Sequence, residues 1–448
     1  MESKQITARA AAFRSLIACE RDKKYSNLEI DAAIRRFKLE GPERGLYTAL
    51  TYGVIERRIT LDHIIAKLST RPLAALDAPA ATLLRLGLYQ LIWLDRVPDH
   101  AAVGETVALA KAEAPRAASF VNAVLRGFQR TYGKDSLPLP EKSDPAYLSV
   151  KYSIGADVLA ALSAAAALHA ASPDTEALLA GFEAHRAVTL RVNTLKLSRD
   201  ALLMQLADAG CEAEACRYSP FGVKLKNGTV TPEIAELIEK GFVYIQDEAS
   251  QLAVLAASPA PGSTVIDTCA CPGGKSFSAA ILMENTGRVM SFDLHKNKLS
   301  LVDSGAKKLG ITIIETAEKN GAVYDAALDS SADTVLCDVP CSGLGVIAKK
   351  PEIRYKSADE FARLPEIQYA ILQNAARYVK PGGTLVYSTC TLHPAENGAV
   401  CARFLAETDA FESVEFDAGG IPSQGGMLTL YPHVHGTDGF FIAKFRRK

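Results

Sequence analysis

Apolar residues recur three and four positions apart through most of the first 130 residues. Ala12, Phe13, Leu16 and Ile17 form one such face and Leu46, Leu50 and Val54 a second. Leu83, Leu84, Leu86, Leu88, Leu91, Ile92 and Leu94 form a third. This is the period of amphipathic helices. Pro72, Pro98 and Pro115 punctuate them at helix-length intervals. Residues 5–132 therefore read as all-helical. The stretch Leu137-Pro138-Leu139-Pro140-Glu141-Lys142-Ser143-Asp144-Pro145 has no periodicity and the composition of a linker. Beyond it the period changes. Val188 to Asn193 alternates as a strand does, Arg199 to Asp208 is helical, and Gly222 to Leu225 is strand-like again, which predicts a small α+β module. After residue 262 strands and helices alternate. Thr264–Thr268 is a strand followed by a glycine turn and a helix from Ser276 to Met283. Arg288–Asp293 is a strand followed by a helix to about Leu309. Thr334–Asp338, Thr384–Ser388 and the closing Gly439–Phe445 complete the pattern. Such alternation is that of a doubly wound parallel sheet.

Composition adds little to this picture. The 448 residues have room for two or three domains, and 48% apolar with 23% charged content is ordinary for globular protein. No apolar run is long enough to span a bilayer, and the start, Met1-Glu2-Ser3-Lys4-Gln5, has no signal-peptide core; a soluble, cytoplasmic protein without a membrane partner is expected. Charge is more informative in its distribution. The net charge is −1, yet residues 1–130 carry 20 Lys+Arg against 14 Asp+Glu, leaving 30 against 37 for the remainder. A basic module joined to an acidic one fits an RNA-docking domain feeding a catalytic one, and solvated helix faces account for such an excess nearly as well. The nine cysteines follow no framework spacing and are expected to be free thiols.

Three constellations carry chemistry. In Asp267-Thr268-Cys269-Ala270-Cys271-Pro272-Gly273-Gly274-Lys275 a strand runs into a glycine pair that opens a helix, so that backbone N–H groups can approach a ligand. The next strand ends in Asp293, where an acid accepts hydrogen bonds from the ribose of a nucleotide-like cofactor. The glycine spacing is neither that of a dinucleotide site nor that of a P-loop, which favours an adenosyl cofactor. The second constellation, Asp338-Val339-Pro340-Cys341-Ser342-Gly343-Leu344-Gly345, and the third, Ser388-Thr389-Cys390-Thr391-Leu392-His393-Pro394-Ala395-Glu396-Asn397, each follow a strand. Their cysteines should face the crevice at the strands' carboxyl ends. A disulfide does not suit a cytoplasmic chain, and zinc wants more ligands at motif spacing, so no metal is expected. Nucleophilic catalysis by a thiol suits both loops.

These three motifs closely resemble those of the RNA cytosine-C5 methyltransferases, and three further features resemble the bacterial Sun/RsmB branch, which acts on small-subunit ribosomal RNA. Arg85-Leu86-Gly87-Leu88-Tyr89-Gln90-Leu91 and Phe120-Val121-Asn122-Ala123-Val124-Leu125-Arg126 are similar to the helical domain of the antitermination factor NusB. Leu190-Arg191-Val192-Asn193-Thr194 and Tyr244-Ile245-Gln246-Asp247-Glu248-Ala249-Ser250 look like that branch's middle-domain signatures. The resemblance covers nearly the whole chain. It implies a NusB-like all-α domain over residues 1–133, a small α+β domain over 146–245, and a Rossmann-like class I methyltransferase domain over 246–448. It further implies S-adenosyl-L-methionine as cofactor, held by Asp267, the loop Cys269, Ala270, Cys271, Pro272, Gly273, Gly274 and Lys275, and by Asp293, Glu318 and Asp338. A monomer acting on 16S rRNA is expected. The catalytic roles it implies are a Cys390 nucleophile at carbon 6 of the cytosine, Cys341 in loss of the carbon-5 proton and release, and Asp338 with Lys275 against the base.

The chain departs from the family pattern at four places. Cys271 stands where alanine is usual, and Ala348 where arginine is frequent. Ser153-Ile154-Gly155 replaces Ser-His-Pro. The third cofactor-side acid, expected after a strand over Ile311–Ile314, falls at Ala317 with Glu318 adjacent. Three other readings compete: the same reaction on a transfer RNA or another ribosomal site, an RNA-binding or antitermination factor with an inactive catalytic domain, and an amino-methyltransferase. The NusB-like domain weighs against the first, and the presence of Cys341, Cys390, Asp338 and Lys275 against the second. The third would not need two cysteines.

Overall fold

The computed structural model describes residues 6–22, 26–169, 174–184, 187–226 and 228–448, and the chain forms two compact units. The first comprises residues up to Ala160 together with Lys349–Ser357; the second comprises Ala161–Ala348 and Ala358–Lys448.

Helical periodicity is realised throughout the first unit. Its helices are α1 (Ala8–Asp22), α2 (Ser26–Phe37), α3 (Gly41–Glu56), α4 (Arg58–Leu68), α5 (Ala78–Trp93), α6 (Asp99–Glu113), α7 (Ala118–Thr131) and the short α8 (Tyr147–Tyr152); the unit boundary falls within α9 (Ala156–Ala167). Helix α5 is apolar nearly all round and forms the central element of the unit. Asp77 caps it by accepting from the Ala80 N–H, and Leu83, Leu84, Leu86 and Leu88 are buried among Tyr47, Leu50, Leu61 and Val121. Gly87 permits close packing there, since a Cβ would meet Leu125 at 2.6 Å. The linker composition of 137–145 appears as non-helical chain.

Lys349–Ser357 completes this unit from far along the sequence. The buried Arg354 donates to the Tyr152 carbonyl at 2.8 Å and to Glu56 Oε1 at 3.3 Å. The Tyr355 hydroxyl accepts from the Arg58 N–H at 3.1 Å, and the Arg58 guanidinium lies 4.0 Å over the Tyr355 ring. Ser153, in the left-handed region at φ 54°, bonds the same hydroxyl at 2.9 Å, and Gly155, where the family pattern has proline, donates its N–H to the Arg354 carbonyl at 2.8 Å.

The second unit holds two sheets. Strands β1 (Val188–Val192), β2 (Ala213–Ala215), β3 (Gly222–Leu225) and β4 (Val243–Ile245) are antiparallel in the order β2-β3-β1-β4. After α10 (Thr175–Ala184), helices α11 (Arg199–Asp208) and α12 (Pro232–Glu239) bury Leu202, Leu206, Ile234 and Leu237 against Leu190, Val192 and Val223. The other face of β1 carries Asn193 just beyond its end, whose side-chain amide donates to the carbonyls of Gly241 and Leu309.

The larger sheet runs β10-β12-β9-β8-β5-β6-β7, with β11 pairing β12. Its strands are β5 (Thr264–Asp267), β6 (Arg288–Asp293), β7 (Ile314–Glu318), β8 (Ala332–Asp338), β9 (Val379–Thr389), β10 (Phe411–Ser413), β11 (Met427–Leu430) and β12 (Phe440–Arg447). The strands β5 to β9 are parallel to one another, whereas β10, β11 and β12 join antiparallel. The sheet is therefore mixed and not wholly parallel. Helices α13 (Glu248–Ala257), α14 (Gly274–Leu282) and α15 (Lys296–Leu309) cover one face, and α16 (Leu364–Tyr378) with α17 (Gly398–Glu407) the other. Each central strand serves both faces: Val265 and Leu336 pack on the first, Ile266, Val335 and Cys337 on the second. The expected strand over Ile311–Ile314 is displaced to Ile314–Glu318. This is the sheet's edge, where one row of hydrogen bonds faces solvent and Ile-Glu-Thr-Ala-Glu suffices without a continuous apolar run.

Candidate active site

Strand order reverses at β5, whose neighbours β6 and β8 are reached by connections running to opposite sides. A crevice forms outside the carboxyl ends of the strands at such a point. Four strands deliver polar or thiol groups there: β5 ends in Asp267, β6 in Asp293, β8 in Asp338, and β9 runs into Cys390.

The turn after β5 is shaped by Gly273 at φ +113°, where a Cβ would meet the Phe277 ring at 2.4 Å; only glycine fits both the angle and the space. The turn aims the first N–H groups of α14 outward. Asp267 is buried behind it. Its Oδ2 accepts from Ser276 Oγ at 2.7 Å, and burial raises its pKa to about 6. Asp293 is half-buried and closes the turn from the side: Oδ2 accepts from the Cys271 N–H at 3.3 Å and Oδ1 from the His295 N–H at 2.9 Å. A cavity of about 380 Å³ opens next to these groups, lined among others by Thr268, Phe292, Lys319, Asn320, Gly321 and Tyr324. Lys319 pairs with Asp325 at its rim. Glu318 is exposed at the end of β7, opposite Asp293 in register, and does not line this cavity; the residues immediately after it do.

Lys275, one residue into α14, reaches across to Asp338 with Nζ 2.6 Å from Oδ2, and also donates to Ser250 Oγ at 3.0 Å. Ser388 Oγ donates to the other Asp338 oxygen at 2.7 Å. The carboxylate is thus fixed from both sides at the crevice. The two motif cysteines meet beside it: Cys341 and Cys390 share a hydrogen bond with their Sγ atoms 3.2 Å apart. Their loops are joined along the backbone as well. The Gly345 N–H donates to the Cys390 carbonyl at 3.0 Å, the Gly439 N–H to the Gly345 carbonyl at 2.9 Å, and a Cβ on Gly345 would strike Gly439 O at 1.8 Å.

The nine cysteines are thiols, and their surroundings separate them. Burial, with the charge of Asp267 or Asp293 adding to it, pushes Cys269 and Cys271 up to about 12, which leaves them poor nucleophiles. Buried Cys337 and Cys401 are pushed up by the same cause. The Cys341 proton is held by the hydrogen bond with Cys390, then by burial, then by the charges of Cys390, Glu396 and Asp338. Among the described residues, no group of three or more His, Cys, Asp or Glu could hold a metal ion, and no helix is long and apolar enough to cross a membrane.

The structure thus brings together Lys275, Asp338, Cys341 and Cys390, with Asp267, the 269–275 turn and Asp293 alongside. Sequence reasoning gave no site role to Ser250, Ser388, Lys319, Asn320 or Tyr324. Ser250 and Ser388 stood within recognised motifs, and Lys319 and Asn320 directly follow a strand end.

Known proteins match the chain from end to end. The NusB family model matches residues 6–130, a ferredoxin-like domain of RsmF/B-like methyltransferases 165–231, and the 16S rRNA methyltransferase RsmB/F model 254–446. The "probable ribosomal RNA small subunit methyltransferase B" of Bacillus subtilis is 38% identical, with 99% of this chain and all of the relative covered. The ribosomal RNA small subunit methyltransferase B of Pseudomonas syringae pv. tomato is 33% identical over 97% of this chain and 96% of its own. Among solved structures, that of PH0851 has a TM-score of 0.81 at 25% identity, covering 99% of this chain and 100% of its own. A methyltransferase homologue from Pyrococcus horikoshii has a TM-score of 0.53 at 30% identity, covering 61% and 90%.

Proposed function

Because this chain belongs to the ribosomal RNA small subunit methyltransferase B family, we propose that it methylates carbon 5 of a cytosine in 16S rRNA through a covalent adduct between Cys390 and carbon 6. The observation that carries this reading is the pair of thiols 3.2 Å apart beside the Lys275–Asp338 ion pair. An amino-methyltransferase has no use for two facing thiols. Carbon 5 of cytosine is a weak nucleophile, and addition of a thiolate at carbon 6 converts the ring into an enamine that can attack an electrophilic methyl group.

The nucleophile's role goes to Cys390 on the family resemblance of its Thr-Cys motif. Either thiol can donate across the 3.2 Å contact, so the division rests on the motif, and burial with the charges of Glu396 and Asp338 adds to the proton affinity of Cys341. A thiol with raised proton affinity is a poor nucleophile and, once deprotonated, a strong base. Adduct formation consumes the Cys390 thiolate, so the charge that helped to hold the Cys341 proton is gone and that proton passes to solvent; the Cys341 thiolate then takes the carbon-5 proton, the carbon-6 bond to sulfur breaks, and Cys390 departs as a thiolate with the methylated base released. Addition at carbon 6 drives electrons onto ring nitrogen 3. N3 takes a proton from solvent as that charge develops, and Asp338, held by Lys275 and Ser388, has lone pairs left to accept from the N3–H and the exocyclic amine. The base must be single-stranded or flipped to enter the crevice.

S-adenosyl-L-methionine supplies the electrophilic methyl when bound, and the residues present fit it. The Gly273 turn leaves room that a Cβ would fill, Asp293 is an acid at the end of the second strand, and the cavity beside Phe292 takes a flat base. Asp293→Ala is expected to weaken cofactor binding roughly ten- to a hundred-fold, the worth of one charge-assisted hydrogen bond, with an unchanged circular dichroism spectrum. Calorimetry that finds parental affinity in the folded variant would remove Asp293 from the cofactor site. For the third cofactor contact the candidates are Glu318, in register with Asp293, and Lys319 and Asn320, which line the cavity.

The first unit is proposed to dock cytoplasmic RNA through phosphate contacts, with Arg35, Arg36, Arg44, Arg116, Arg126 and Arg130 among its exposed cations. Bisulfite sequencing of rRNA and tRNA from cells with and without the protein tests the whole reading. One 16S cytosine is expected to lose protection in its absence. Loss at a tRNA cytosine would reassign the substrate, and no loss anywhere would refute the activity.

A further inference from the structure

Glu396 lies in the turn Pro394–Glu396, six residues beyond Cys390, and is fully buried. A buried carboxylate is costly, so its hydrogen bonds need an account. Its Oε2 accepts from the Ser342 N–H at 2.9 Å and from Gln368 Nε2 at 2.8 Å. The same Gln368 Nε2 donates to the Pro340 carbonyl at 3.0 Å. Pro340 and Ser342 flank Cys341, so the carboxylate and the amide bracket the Cys341 turn on both sides. The arrangement extends into the partner loop: Ser342 Oγ bonds Thr391 Oγ1 at 2.8 Å, and Asn397 donates to the Thr391 carbonyl at 2.9 Å. Meanwhile Glu396 Oε1 is buried and makes no hydrogen bond among the described residues. A carboxylate chosen only to tie down a loop would be expected to use both oxygens.

We infer that Glu396 is a positioning residue for the release half of the reaction: with Gln368 it fixes the Pro340-Cys341-Ser342 turn so that the Cys341 thiol stays against Cys390 and the adduct. The inference rests on the roles proposed above for the two cysteines. Its electrostatics agree with its geometry. Cys390, Glu396, Asp338 and Tyr387 face Cys341, and the first three hold the proton on it. Lys275 pairs with Asp338 and offsets that carboxylate, whereas the side-chain hydrogen bonds of Glu396 come from the neutral Ser342 N–H and Gln368 amide.

The test compares Glu396→Ala, Glu396→Gln and Gln368→Met with Cys341→Ala, each at matched folded fraction, using substrate RNA and S-adenosylmethionine. Glu396→Ala is expected to lower kcat about a hundred-fold, the effect of a misplaced reacting group. It should leave a persistent protein–RNA band on denaturing gels, with the KM for cofactor unchanged. Glu396→Gln, whose amide oxygen can still accept from Ser342, should largely restore release but move the rising, acidic limb of the release pH profile to lower pH. Removing a negative charge makes the Cys341 proton easier to lose. Gln368→Met, which keeps the carboxylate, should give a weaker form of the Glu396→Ala result, and serves in its place if Glu396→Ala does not fold. A purely structural role would lower the melting temperature without accumulating adduct. Folded variants that turn over like the parent, or that lose adduct formation instead of release, overturn the inference. If Cys341→Ala itself traps no adduct, the assignment of the cysteines fails, whatever the Glu396 variants do.

Discussion

Replacing Cys341 with alanine is expected to leave the protein covalently attached to its RNA, whereas replacing Cys390 with alanine should abolish both the attachment and methyl transfer. The two thiols are 3.2 Å apart and sit on loops joined by backbone hydrogen bonds, so distance alone cannot divide their roles. What divides them is the motif each stands in: Cys390 follows Thr389, as the nucleophile of the resembled family does, and Cys341 follows Pro340. The contact with Cys390, burial and the charges of Glu396 and Asp338 all raise the proton affinity of Cys341. Loss of the nucleophile should lower methyl transfer by about 10⁴-fold or more, as in other enzymes that work through a covalent intermediate. Loss of Cys341 should halt the reaction after methyl transfer and before elimination. A denaturing gel with labelled RNA separates the outcomes: a shifted band for Cys341→Ala and none for Cys390→Ala. A band on Cys390→Ala alone would reverse the roles.

Asp338→Asn should abolish turnover nearly as completely, by a different route. The carboxylate is bonded at 2.6 Å to Lys275 Nζ and at 2.7 Å to Ser388 Oγ, and its charge acts on Cys341. An amide of the same shape keeps the packing but cannot compensate charge on a protonated ring. A preorganised electrostatic contact of this kind is typically worth about 10²–10³ in kcat. Lys275, whose side chain is only 12% exposed, would also lose its ionic partner, so a lower melting temperature is expected alongside. Cofactor binding through Asp293 should persist. The diagnostic result is a folded Asp338→Asn/Cys341→Ala protein that binds S-adenosylmethionine by calorimetry and forms no covalent band where Cys341→Ala alone forms one. Adduct formation at the rate of Cys341→Ala would remove Asp338 from the activation of the base.

Much of this was legible in the chain because its signals are local. Helix α11 begins where Ser198 caps it by accepting from the Ala201 N–H, and the strands Arg288–Asp293 and Gly222–Leu225 stand where the alternation puts them. The motif residues were legible for the same reason: Asp267, Asp293 and Asp338 each end a strand. Less legible were features decided by non-local contacts. The direction of β12 against β9 is antiparallel, and nothing in the apolar run Phe440–Phe445 states a direction. Strand β7 lies at the parallel edge with a polar sequence, so the apolar residues just before it drew the start of the expected strand three residues early. Gln368 lies on α16, far along the chain from both motif loops, and its bond to Glu396 joins elements that no local pattern connects.

The segment Lys349–Ser357 has a bearing on the order in which the protein is made. Arg354 and Tyr355 are internal to the first unit, bonded to Glu56, Tyr152, Ser153 and Arg58. A ribosome that has synthesised the chain as far as Ala160 has yet to add roughly 190 residues before Lys349 is present. At about 5–20 residues per second this takes on the order of ten to forty seconds. During that interval the helices around Tyr47 and Leu83 have their local contacts but not the guanidinium and phenol that close the end of α3. The N-terminal unit therefore reaches its final form only after most of the second unit has emerged, and a fragment cut at residue 160 is a nascent intermediate rather than a finished domain.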